Sequence, residues 1–396
     1  MKNKSVIGYI IGAILLYIVS TGISYAVFSF MGGVTTVVPS PDSDGNVAID
    51  PSLPKTEVCP INGAKFTKIE REIWEKRRPL AVMIENHEES RPQTGLSYAD
   101  VVYEAVAEGG ITRFMGVYYC AVAAYNIGLA PVRSARTYYL DWVSEYDALY
   151  NHVGGAGKCN DGTVDDRAKA LCQIGKYGIK DLDQFSLKIK DTDESGKDYY
   201  ICYRNPDRLD HQVAYEHQMV CMTNGLYKVA QERGWTNVDE EGQSWDENFE
   251  PWNFKEDADI SERGTTTAVS FVHWDGYEAG YGVKWQYDST TNSYKRFNGG
   301  EAQTDLETKS QLVAKNIVIQ LTKEVSGIDE HAHVLYTTIG SGKALIFQDG
   351  NVISGTWKKA NRTSRTTYFN DSGKEVEFNR GQIWIEVVAT DTKVDY

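Results

Sequence analysis

The sequence has no CxxC pair, no GxGxxG spacing, no GK followed by Ser or Thr, and no long run of lysine or arginine. The first absence argues against a zinc ribbon or a dithiol redox centre. The next two argue against a glycine-rich phosphate cradle. Basic residues are also outnumbered, 41 to 55, giving a net charge of −14. Nucleic acid and anionic lipid surfaces are bound through clustered positive charge, so neither is an expected partner. No metal or cofactor is expected. His211 and His217 are not spaced as i,i+4 zinc ligands, and Asp42, Asp44 and Asp50 lack EF-hand spacing.

Charge itself is missing from one long stretch. Lys2 and Lys4 precede Val6–Phe30, 25 uncharged residues, and no charge returns until Asp42. At 1.5 Å per residue this stretch can cross a hydrocarbon core about 30 Å thick. The lysines place the N-terminus in the cytoplasm and the rest of the chain outside. The expectation is a single-pass transmembrane helix in residues 1–33. The alternative is a cleaved signal peptide with Ser24-Tyr25-Ala26 at its end, but the apolar run exceeds a usual signal core. All six cysteines then lie outside. They could pair in 15 ways, and one or two bridges or buried free thiols are the alternatives.

Residues 34–78 carry prolines and an Asp-Gly turn and are expected to form a linker and lead-in, with a short amphipathic helix in "FTKIEREIWEKR". Residues 79–238 alternate strand and helix patterns. Leu80–Ile84 is a continuous apolar run, as in a strand buried on both faces. "NIGLAPVRSA" followed by "TYYLDWVSEYDALY" implies strand, turn and helix. Further helices are expected from Asp161 or Thr163 and across 211–235. This is an α/β pattern, a mixed sheet with flanking helices. Residues 239–262 hold ten acidic residues and one lysine, interleaved with Trp245, Phe249, Trp252 and Phe254, and read as a connection whose aromatics clamp what flanks it. Residues 263–396 carry many short β segments and Asp349-Gly350, a hairpin signal, implying an antiparallel all-β domain.

"AVMIENH…SRPQTGLSYADVVYEAVAEGGITRFMGVYY", "PVRSARTYY" and "GKALIFQDGNVISGTWKK…YFNDSGKEVEFNRGQIWIEVV" resemble the YerB-like envelope proteins of Gram-positive bacteria. The resemblance runs from about residue 59 to 388 and implies two modules outside the membrane, with no assigned activity to transfer. Many members look like lipoproteins with a cysteine directly after the apolar segment. Here the first cysteine is Cys59, so the resemblance leaves the helix as the anchor.

Strand ends in an open α/β sheet converge on a crevice. Asn86 and His87, then Arg133, Ser134 and Arg136, then Asn151 and His152 fall at three such ends. Two guanidiniums beside a helix N-terminus suit a carboxylate or phosphate. The expected partner is a cell-wall glycan, a wall precursor or an envelope protein. The competing role is structural, each arginine paired with Asp100, Glu104 or Glu108. If Gly109-Gly110 form a two-residue turn, Val106 faces Arg113 and Glu104 faces Met115, so Glu104, Glu108 and Arg113 share a face. A wall hydrolase using Glu104 or Glu108 with His152 is therefore the alternative to a non-catalytic binding or scaffold role. Ser134 lies in RSA rather than a GxSxG elbow.

Overall fold

The computed structural model describes residues 38–193, 195–239 and 241–396. The expected transmembrane segment lies outside the described residues. Among those described, no helix is long and apolar enough to cross a membrane.

A ten-stranded sheet organises residues 40–396. Its strands are β1 (Leu80–Glu85), β2 (Val101–Glu108), β3 (Ile111–Tyr118), β4 (Leu149–His152), β5 (Lys180–Asp183), β6 (Asn316–Thr322), β7 (Gly340–Gln348), β8 (Asn351–Lys359), β9 (Thr367–Asn370) and β10 (Ile383–Ala389). The order is β9-β8-β7-β6-β10-β2-β3-β1-β4-β5. The last strand in sequence therefore sits in the middle. β10 runs parallel to β6 on one side and to β2 on the other. Its first six residues, "IWIEVV", are buried, as a strand covered on both faces must be.

This corrects the expectation of a self-contained antiparallel C-terminal domain. The hairpins β7–β8 and β8–β9 are antiparallel, and Asp349-Gly350 turns the first of them. The sheet nevertheless continues through β10 into the α/β half. Hydrophobic patterning reports burial, and burial does not say which distant strand is the neighbour.

Among the described residues, four helices of seven residues or more accompany the sheet: α1 (Lys68–Trp74), α2 (Thr137–Glu145), α3 (Ala170–Tyr177) and α4 (Thr223–Glu232). α2 packs on one face, where Trp142 stacks on Tyr103 at 4.9 Å and Tyr139 donates to the Ala105 carbonyl at 3.3 Å. On the other face lies a smaller antiparallel sheet containing 268–271, 283–288 and 293–298. Trp285 from that sheet meets Trp384 of β10 at 5.1 Å and donates to Glu386 at 2.8 Å.

The lead-in is part of the fold rather than a free tether. Val47 N–H donates to the Ala124 carbonyl, Asn126 N–H to Asn46, and Cys59 is bonded to Cys120. The expected short helix is α1, opened by a Thr67–Glu70 capping box. All six cysteines are paired, the other bridges being Cys159–Cys172 and Cys202–Cys221, more than the one or two expected. The aromatics of the acidic stretch do clamp: Trp245 donates to Tyr119 at 3.2 Å, and Trp252 to the Thr366 carbonyl at 2.7 Å.

Two expected helices are shorter than their patterns. α3 begins only at Ala170, because Asp161 and Asp165 cap local turns at Thr163 and Arg167 instead. Of 211–235 only α4 is α-helical, with a single 3-10 turn at Tyr215–His217 before it. Met219–Met222 pairs as a strand with Cys202–Arg204, held by the Cys202–Cys221 bridge.

Candidate functional site

The hairpin β2–β3 decides which carboxylates meet which cations. A bulge between Val106 and Glu108 shifts the register by one residue, so Glu104 pairs with Phe114 rather than Met115 and Val106 with Thr112 rather than Arg113. The extra residue turns Glu104 away from Arg113 and Glu108. The three do not share a face.

Glu104 instead points at the smaller sheet. It lies beside Glu386 on the parallel strand β10, and Arg296 bridges the two carboxylates at 2.5 Å each. Glu104 also accepts from Thr112 at 2.6 Å and Asn86 at 3.2 Å. All three ionic side chains are 0% exposed. Burial and the neighbouring Glu386 carboxylate hold Glu104 above the usual carboxylate range.

On the α2 side, Glu108 takes both Arg113 at 2.8 Å and Arg136, the residue that caps α2. Burial pushes the Glu108 carboxyl up, but the two guanidiniums outweigh it and hold it well below the usual range. Arg136 is thus at the helix start, as expected, and is buried and matched. Asn86 is fully buried, donating to Thr112 at 2.7 Å and accepting from Arg91 at 3.1 Å. Asn151 donates to the Leu182 carbonyl at 2.8 Å, and His152 lies enclosed between the Gly154 carbonyl and Asp181 at 2.7 and 2.8 Å. These four predicted site residues turn inward and hold loops together. His152 reaches neither Glu104 nor Glu108: the bonds of all three go elsewhere.

Arg133, Ser134 and His87 behave differently. The loop carrying Arg133 is threaded against the end of β1, with Arg133 N–H donating to the Met83 carbonyl at 2.9 Å. The Arg133 guanidinium pairs with Glu85 while its side chain stays 23% exposed. Glu85 is 2% exposed, and His217 Nδ1 approaches it at 3.5 Å. Burial pushes the Glu85 carboxyl up; His217, Arg113 and Arg133 together bring it down to about 2. The His217 ring stacks on His87 at 4.9 Å between centroids. Ser134 stays half-buried, its carbonyl accepting from Arg113 at 2.9 Å.

The structure thus gathers Glu85, His87, Arg133 and His217, with exposed Glu89 alongside, at the carboxyl end of β1. Sequence reasoning missed Glu85 and Glu89, and set His217 aside because its spacing from His211 is not that of a helical zinc pair. Glu85 closes a recognisable buried strand and could have been found there. His217 is 130 residues from His87 in sequence and carries no spacing signal. A cavity of about 350 Å³ lies along the neighbouring residues Glu88, Arg91, Gly280, Asn298 and Thr304. A larger one of about 660 Å³, lined by Tyr199, Tyr200 and Tyr203, contains none of the predicted site residues.

Comparison with known proteins places two matches along the chain. The family described as "Protein of unknown function (DUF3048) N-terminal domain" matches residues 66–236, and the corresponding C-terminal domain family matches 272–385. The chain is 29% identical over 342 residues to the Bacillus subtilis (strain 168) protein named "Putative lipoprotein YerB", covering 85% of this chain and 88% of that protein. It is similar in fold to the crystal structure of YerB from Bacillus subtilis, with a TM-score of 0.65 and 24% identity over 86% of this chain and all of that one.

Proposed function

Because the chain belongs to the DUF3048 family, whose N- and C-terminal domains are of unknown function, we propose its role from the geometry at the end of β1. It is an envelope protein that holds an anionic ligand without transforming it. The anchor is the uncharged Val6–Phe30 stretch. A lipid anchor on sulfur is not favoured, since all six cysteines are in disulfides. Three disulfides also suit an oxidising compartment outside the cytoplasm.

The observation that carries this reading is the state of Arg133. Its partner Glu85 is buried, yet its own side chain is 23% exposed beside half-exposed His87 and Ser134. A guanidinium with free edges offers fork-shaped donors to a carboxylate or phosphate. Wall glycan fragments, wall precursors and acidic segments of envelope proteins all present such groups. A hydrolase based on Glu104 or Glu108 with His152 is disfavoured, because Glu104 and His152 are enclosed and Glu108 is saturated by two arginines.

The test is the detergent-solubilised full chain incubated with solubilised wall fragments. The expected result is retention of fragments with no new reducing ends or free amines. Arg133→Ala should weaken retention about 10-fold or more, since a charge-assisted hydrogen bond is worth about 1.5–3 kcal/mol. Turnover, or retention indifferent to Arg133→Ala in a protein that still melts like wild type, overturns the proposal.

A further inference from the structure

Three groups of side chains among the described residues bring nitrogen, sulfur or carboxylate donors close enough to share a cation. In the first, Cys59, Asp100 and Cys120, both sulfurs are committed to a disulfide, so no thiolate is available. In the second, Glu104, His273 and Glu386, the cation is already present as the guanidinium of Arg296, and no member is more than 4% exposed. The third is His87, Glu89 and His217. Its donor atoms lie within 4.8 Å of one another, and it has an open side, since Glu89 is exposed and His87 partly so.

We propose that His87, Glu89 and His217 bind a divalent transition-metal ion, zinc being the best match, with a coordination position left open for the anionic ligand. The donor set is two imidazoles and one carboxylate. That combination suits zinc and its first-row neighbours, and three protein ligands with an open fourth position characterise sites that receive a further molecule. A bound zinc holds its donors about 3.4 Å apart, given zinc–ligand distances of about 2.0–2.2 Å. Contraction from 4.8 Å falls to the more exposed members, Glu89 and His87; the His87 ring must turn out of its stack on His217 and its Nδ1 must release the Glu89 N–H it accepts.

Two further features point to a ligand there. His217 is only 5% exposed, and its Nδ1 is turned to the buried Glu85 carboxylate at 3.5 Å, which leaves Nε2 as the ring nitrogen for a cation. Glu85, at 3.5 Å from His217 Nδ1, stands where an outer carboxylate orients a metal-bound imidazole. Arg133 approaches the same Glu85 oxygen as His217, which puts its guanidinium next to the proposed metal group. Metal and guanidinium together would clamp one carboxylate or phosphate. The inference rests on the anion-binding reading for what fills the open position, but zinc binding alone can be measured without any wall ligand.

The experiment is zinc titration by calorimetry into the full chain in detergent, stripped with chelator and carrying no polyhistidine tag. One zinc per chain is expected. His87→Ala and Glu89→Gln, both at exposed or partly exposed positions that should leave folding intact, are expected to abolish it. Glu85→Gln should weaken it by about 10–100-fold, as loss of an outer-shell partner does. His331→Ala with His333→Ala, removing an adjacent ring pair elsewhere at 5.6 Å, should change nothing. Absence of zinc binding overturns the metal site. So does zinc that survives His87→Ala and Glu89→Gln, or that is lost with the His331 and His333 changes. If zinc binds but wall fragments do not, the metal site stands and the anion-binding reading falls.

Discussion

Replacing Arg296 with methionine is expected to cost about 3–5 kcal/mol of folding free energy, the scale for removing one partner of a buried ion cluster. Arg296 is the guanidinium that bridges Glu104 and Glu386, which lie side by side on β2 and β10, with His273 Nε2 3.4 Å from Glu386. Its Nε also donates to Gln303 at 2.6 Å, and its guanidinium sits 4.7 Å from the Trp384 ring and 5.0 Å from Trp285. Methionine fills the volume but leaves the carboxylates facing each other in a dry interior, where like charges cannot both stay ionised. Denaturant unfolding measures the loss. A change below about 1 kcal/mol would mean the cluster does not join the two halves of the sheet.

The same cluster sets a pH dependence. One guanidinium matches one carboxylate, and Glu104 is the one held high, by burial and by Glu386. Its folded-state pKa lies above its unfolded value, so the folded protein keeps a proton that the unfolded chain releases. That contribution to stability falls as pH rises past 4.5, the ordinary glutamate value. Glu104→Gln should flatten this part of the profile.

The second large effect concerns the lead-in. Cys59 and Cys120 are 61 residues apart, the widest separation among the three bridges, against 13 and 19. Chain-entropy arguments assign a closed loop of that size about 4 kcal/mol and each shorter loop about 3 kcal/mol. Changing both Cys59 and Cys120 to serine should therefore lower unfolding free energy by about 4 kcal/mol. Asp100 reinforces the same joint: its carboxylate accepts from Tyr119, Cys120 and Ala121 N–H groups and from Asn62. A loss below about 1 kcal/mol in denaturant titration would show that residues 40–66 do not stabilise the rest.

What the sequence made legible was local. Leu80–Glu85 is the buried strand its apolar run implies, Asp349-Gly350 turns a hairpin, and Arg136 starts a helix. Each depends on a few adjacent residues. The central place of β10 was not legible, because "IWIEVV" reports burial on both faces and nothing about its neighbours. One inserted residue, the bulge before Glu108, was enough to part Glu104 from Arg113 and dissolve the carboxylate arrangement expected from an ideal turn. The candidate site shows the same division. Arg133 and His87 stand out in sequence, whereas Glu85 and His217 join them only through contacts that span the fold.

The proposal that this crevice receives an anionic envelope component can be tested in place. A photocrosslinking residue is put at Ser134, beside Arg133, and for comparison at exposed Thr356 on β8, in the full chain within its native membrane. Crosslinks to an acidic wall polymer, precursor or protein segment are expected at position 134, absent at 356, and lost when Arg133 becomes alanine. Equal labelling at the two positions, or labelling at 134 that ignores the loss of Arg133, would contradict it.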